Sequence, residues 1–181
     1  ILYGILRDYG FRPAMVKQIY ENINGQTGRQ WMSMEYIAAI DRGYIDIARR
    51  KDTFTEMTLP IEGCYVVDGD ARIDIRAVEV EGKFRPDTDP MVASLDASRV
   101  RFPLTLRRVM RDDRFIPLGM RGSKLVSDFL TDRKMSIIAK RRQLCLVDAG
   151  GDILWLVGHR IHERYKISGD TIKAIVVRYI Q

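Results

Sequence analysis

Apolar positions in the first 25 residues recur at helical spacing. Ile1, Leu2, Ile5 and Leu6 share one face, which predicts a helix ending near Tyr9 with Gly10 as its stop. Pro13 suits the first turn of a second helix running to about Ile23, with Met15, Val16, Ile19 and Tyr20 on its inner face. Asn24-Gly25 is expected to close that helix, because both residues tolerate positive φ.

The period then changes to two. Short strands are predicted over 31–34, 36–40 and 44–47, with Asp41-Arg42-Gly43 as the turn before the last. Further strands are predicted over 55–59, 64–67 and 71–80. In the last of these Ile73, Ile75 and Ala77 alternate with Arg72, Asp74 and Arg76, and then the phase slips, so that Val78 and Val80 are apolar between Glu79 and Glu81. A β-bulge near Ala77-Val78 would return both sets to one face. Residues 83–90 read as a loop, and a second unit begins at Met91. Its predicted strands are 92–95 and 105–109, then a loop with Pro117 and Gly119 and a helix over 124–130 capped by Ser123. A helical stretch over 135–140, a hairpin of 144–147 with 153–157 across Ala149-Gly150-Gly151, and a final strand over 171–180 complete the chain. The fold class expected is α+β: a helical lead-in and antiparallel strands, then a compact mixed α/β unit, divided as residues 1–90 and 91–181.

The chain has 181 residues, 46% hydrophobic and 30% charged, an ordinary globular balance. It opens on Ile1, already inside a helical pattern, and is expected to be a piece of a longer polypeptide. No apolar run reaches the roughly 18 to 20 residues of a membrane span. The net charge of +6 is uneven: residues 101–181 carry 17 Lys and Arg against 8 Asp and Glu, whereas residues 1–100 carry 13 against 16. A basic segment joined to a slightly acidic one suits a nucleic-acid-facing module, and suits an internal interface equally well.

Little in the chain suggests catalysis. Cys64 and Cys145 lie in apolar, strand-like stretches and are expected to be buried free thiols of a cytoplasmic protein, a disulfide remaining open. His159 and His162 have no companions that complete a zinc-like set. The segment 119–124 has glycines and a lysine before a helix, but not the Gly-x4-Gly-Lys-Ser/Thr spacing of a phosphate loop. A helix start flanked by Arg121 and Lys124 is the weaker alternative, a place for one backbone phosphate.

An ordered series of motifs adds a family. Ser94-Leu95-Asp96, Phe102-Pro103-Leu104 with Arg107-Arg108, and the run from Asp113-Arg114-Phe115 through Ile116-Pro117-Leu118-Gly119 to Met120-Arg121-Gly122 come first. Ser127-Asp128-Phe129-Leu130, Val157-Gly158-His159-Arg160-Ile161 and Glu163-Arg164-Tyr165 follow. Together they resemble the C-terminal domain of the tRNA(Ile)-lysidine synthetases. Tyr9-Gly10-Phe11, Thr27-Gly28-Arg29 and Asp41-Arg42 fit that family's middle region more loosely, and Asp112 stands where the family pattern has Gly. The resemblance implies an enzyme that, at full length, uses ATP and Mg to adenylate the first anticodon cytidine of tRNA(Ile) and then attaches lysine. Its ATP site is an N-terminal Ser-Gly-Gly-x-Asp-Ser loop that this sequence lacks. No catalytic residue is therefore carried over, and the chain alone is expected to bind no cofactor and to be inactive.

The implied role is positioning tRNA(Ile) for the enzyme's own N-terminal catalytic domain. The candidates for phosphate contact are Arg107, Arg108, Arg114, Arg121, Lys124, Lys140, Arg141, Arg142, Arg160 and Arg164. Each has a plainer alternative: 140–142 as a solvated helix end, Arg114 and Arg121 paired with Asp113 or Asp128, Arg160 and Arg164 paired with Glu163 or Asp152. Phe115, Phe129, Trp155 and Tyr165 either stack on bases or fill a core. A structural module that docks the catalytic domain or forms a homodimer is the alternative function.

Overall fold

The computed structural model describes residues 1–51, 54–81 and 84–181. The fold is α+β, with every paired strand antiparallel. It divides into two compact units: Ile1–Thr53 with Leu130–Arg142, and Phe54–Phe129 with Gln143–Gln181.

The first unit opens with helices α1 (Leu2–Asp8) and α2 (Pro13–Glu21). Gly10, at φ +74°, ends α1 in a Schellman turn, where the Phe11 N–H donates to the Leu6 carbonyl at 3.2 Å and the Gly10 N–H to that of Arg7 at 2.8 Å. Leu6 and Phe11, which this turn brings together, both lie in the core. Ile1 and Ile5 of the expected inner face are exposed, as is Tyr20 of α2. Helix α2 ends at Glu21 on an Asn22 cap with negative φ, so no left-handed Asn24-Gly25 closes it.

A hairpin ladder follows, β1 (Gln30–Met32), β2 (Tyr36–Asp41) and β3 (Tyr44–Arg49). Arg42 and Gly43, at φ 49° and 84°, form the two-residue turn whose hand matches strand twist. Ala38 and Ile40 of central β2 pack with α1 and α2, while Ile37 and Ala39 on its other face pack with Ile138. Ile138 belongs to α4 (Ile137–Arg142), far along the chain from β2. Ser136 caps α4, its Oγ accepting from the Ala139 N–H at 3.1 Å and donating to the Asp46 carboxylate of β3. The unbroken apolar run Ile37-Ala38-Ala39-Ile40 is the sequence signature of a strand covered on both faces.

The second unit holds two four-stranded sheets around one core. One runs β12 (Ile153–Leu156), β11 (Leu144–Val147), β8 (Leu104–Arg108), β4 (Met57–Leu59). The other runs β5 (Gly63–Asp68), β6 (Ala71–Glu79), β13 (Lys173–Ile180), β7 (Val92–Asp96). Leu59, Leu104, Leu106, Leu146 and Trp155 from the first meet Ile73, Ile75, Leu95 and Val177 from the second. Strands 57–79 thus share a core with the C-terminal strands, and the compact units divide the chain differently from residues 1–90 and 91–181. Of the loop expected over 83–90, Lys83 lies outside the described residues, and the rest carries neither helix nor strand.

The expected bulge is absent from β6, whose pairing with β13 runs unbroken from Arg72 to Glu79. Eight continuous pairs outweigh the phase slip, and Val78 is left 38% exposed. The helix expected at Lys124 starts two residues later, as α3 (Val126–Asp132). Lys124–Leu125 instead forms β10, paired with β9 (Arg114–Phe115). Ser123 therefore does not cap α3; it receives the Arg114 Nε–H at 3.3 Å.

Candidate nucleic-acid interface

In the second unit the motif run 113–122 is mainly a packing device. Phe115 and Phe129 meet edge to face at 5.2 Å, and His162 and Tyr165 pack edge to face at 5.5 Å. Backbone bonds lock the run to 161–163: Leu118 N–H to Ile161 O at 2.9 Å and Glu163 N–H to Ile116 O at 2.7 Å. Glu163 also accepts the Gly119 N–H at 2.7 Å, and Arg160 donates to the Leu118 carbonyl at 2.7 Å. Phe115, Phe129, Trp155 and Tyr165 are all buried, which leaves none of them as a stacking platform for bases.

The basic candidates separate by what already holds them. Arg107 is only 13% exposed and grips Asp113 with both terminal nitrogens, at 2.7 and 2.9 Å. Arg108 lies over the Phe54 ring at 4.8 Å. Arg164 pairs with Asp152 at 2.8 Å. Tyr165 donates to that same carboxylate, and burial followed by this bond pushes its hydroxyl up to about 12. Arg114 is exposed and turned to Ser123, so Asp113 goes to Arg107 instead. Lys124 sits half-buried in β10. Arg121, at the exposed tip of the run, has no ion pair or side-chain hydrogen bond among the described residues.

Lys140, Arg141 and Arg142 belong to the first unit. Lys140 donates to Thr131 Oγ1 at 2.7 Å and Arg142 to the Arg49 carbonyl at 2.8 Å, while Arg141 points from α4 with no such partner among the described residues. With the segment 130–142 counted where it folds, the first unit carries 13 Lys and Arg against 7 Asp and Glu. The second carries 17 against 17. The linear halves suggest the opposite distribution. Folding places the whole excess positive charge on the first unit, most of it on the segment 130–142.

A shallow pocket of about 240 Å³ opens there, with Met32, Ile37 and Ile138 as apolar lining and Arg49, Arg50, Arg141 and Arg142 around it. Arg49 and Arg50 are absent from the sequence candidates, although the run Arg49-Arg50-Lys51 is as dense a signal as 140–142. The other chemistry is structural. Cys64 is exposed and Cys145 buried, and both are free. Burial pushes the Cys145 thiol up to about 12. Among the described residues no group of three or more His, Cys, Asp or Glu could hold a metal, and no helix is long and apolar enough to cross a membrane.

A solved structure described as the TilS C-terminal domain superposes with a TM-score of 0.59 at 22% identity, covering 69% of this chain and 95% of that one, and so shares the fold. Residues 1–50 match the family described as the TilS substrate binding domain. The tRNA(Ile)-lysidine synthase of Bacteroides thetaiotaomicron is 32% identical over 185 residues, covering 99% of this chain and 39% of that protein. That of Parabacteroides distasonis is 30% identical over 187 residues, covering 99% and 41%. Over nearly its whole length the chain is similar to these tRNA(Ile)-lysidine synthases, and it spans about two fifths of their length.

Proposed function

We propose that this chain is the tRNA-binding and positioning region of a cytoplasmic enzyme that ligates lysine onto the first anticodon cytidine of tRNA(Ile). The observation that carries the reading is the location of the charge. The entire net +6 falls on the unit that contains the match to a substrate binding domain, while the second unit is balanced. Contacts to phosphate and sugar position an RNA without reading its sequence, and arginines on a rigid surface suit that task.

The proposed contacts come first from Arg141, Lys140 and Arg142, and then from Arg121, Arg114 and Arg160 around the motif run. Arg107 and Arg164 are spent on carboxylates. ATP and Mg would be held by a segment bearing the Ser-Gly-Gly-x-Asp-Ser loop, which is not among these residues. The chain's partners are accordingly tRNA(Ile) and a catalytic domain.

Titration of the chain with a tRNA(Ile) transcript at rising salt tests this. Binding whose logarithm falls linearly with the logarithm of salt is expected. Failure to bind tRNA, with dimerisation visible in sedimentation, would favour the docking or dimerisation module instead. The exposed Tyr3 and Ile5 of α1 would be a natural contact in that case.

A further inference from the structure

We infer that the arginine-rimmed pocket of the first unit receives one unstacked RNA nucleotide, its base on the apolar lining and its phosphate between Arg49 and Arg141. The inference rests on the RNA-binding reading above and narrows it to a place and a mode. Neither Arg49 nor Arg141 makes an ion pair or a side-chain hydrogen bond among the described residues, so their donors are available. The other two guanidiniums are fixed by main-chain carbonyls. Arg50 donates to Ser33 O at 2.9 Å and Arg142 to Arg49 O at 2.8 Å. Planar groups held this way are surfaces on which a base can stack.

Between them Met32 is 49% exposed and lies beside Ile37 and Ile138, an apolar patch that phosphates alone would not use. Among the described residues no carboxylate lines this pocket. The adjoining hollow shares Arg49 and Arg50, adds Lys51 and Met34, and among the described residues contains one acid, Glu35. The charge therefore continues past the pocket along a track suited to a backbone. Helix α4 and β3 supply the two sides from sequence positions about 90 residues apart, and the Ser136–Asp46 bond helps to hold them in register. An acidic peptide would satisfy the arginines and leave the apolar lining unused. A nucleotide satisfies both.

The test measures binding of the 181-residue chain to a single-stranded RNA hexamer, the same hexamer made abasic, the matching duplex and hexaglutamate. The based single strand is expected to bind about tenfold more tightly than the abasic one. Arg49→Ala and Arg141→Ala should each flatten the salt dependence by roughly 0.7 in slope. Met32→Ala should weaken the based strand and leave the abasic strand unchanged. Arg72→Ala, which removes an equal charge from the second unit, should do neither. Circular dichroism melts establish that each variant is folded. Equal binding of abasic and based strands, or of hexaglutamate, overturns the inference. If the chain binds tRNA(Ile) and the pocket variants bind it like wild type, the pocket is not the site and the wider reading stands. If the chain binds no tRNA, both fall.

Discussion

Arg107 and Asp113 close the turn between β8 and β9 with a two-pronged ion pair, 2.7 and 2.9 Å long, in which each side chain is almost nine-tenths buried. The Asp113 carboxylate also accepts the Met110 N–H at 2.7 Å, so it anchors main chain as well as side chain. Removing one partner leaves an uncompensated buried charge. Arg107→Ala should therefore cost about 3 kcal/mol in denaturant unfolding, while the folded variant keeps its tRNA affinity. Arg107→Lys keeps the charge and loses the fork, and should recover only part of that stability. Arg121→Ala should do the reverse, changing stability by less than about 0.5 kcal/mol and weakening tRNA binding.

The two cysteines should differ in kind under thiol titration. Cys64 is exposed on edge strand β5, whereas Cys145 is buried in β11 with its thiol pushed up by burial to about 12. One equivalent should react with an aromatic disulfide reagent in native buffer, and the second only in denaturant. Two equivalents reacting quickly in the folded protein would contradict the packing of β11.

Local order was readable in the sequence and long-range assignment was not. Gly10, Pro13 and the Asp41-Arg42-Gly43 turn announce the first helices and hairpin because their backbone constraints act within a few residues. The placement of 130–142 depends on Ile138 filling the space beside Ile37 and Ala39, and on Ser136 meeting Asp46. Neither contact has a local signature, so position along the chain alone assigns the basic run 140–142 to the C-terminal half, whereas it folds with the N-terminal one. The motif run 113–122 carries the family resemblance, yet Phe115 and Pro117 are buried, and it is Arg114 and the tip at 119–122 that face outward.

Lys134 repeats at the end of α3 what Gly10 does at the end of α1. Its N–H donates to Thr131 O at 2.8 Å and the Met135 N–H to Leu130 O at 3.1 Å, with Lys134 itself at φ 58°. A residue with a Cβ is strained there, and glycine is not. Lys134→Gly should add about 1 kcal/mol, which for a chain of this size raises the melting midpoint by roughly 2–4 °C. Gly10→Ala should lower it by a similar amount. An alanine Cβ there would meet only ordinary contacts with Ser33 at 3.6 Å, so the cost would be conformational.

His162 makes stability depend on pH. Its ring is buried, and Nδ1 accepts the Arg164 N–H at 3.0 Å, an arrangement open only to the neutral imidazole. Burial, with nearby Arg164, holds its pKa below the usual 6.5 despite the opposing pull of Asp152 and Glu163. The unfolded chain therefore takes up this proton at a higher pH than the folded one. Stability from this group is complete above about pH 6.5 and is lost as pH falls from there through the folded pKa. Melting midpoints should be level from pH 8 to 7 and decline toward pH 5. His162→Asn retains an acceptor for the Arg164 N–H but does not titrate. It should melt lower at pH 8 and decline less between pH 7 and 5. A variant whose decline matched the wild type would assign the pH dependence to other groups.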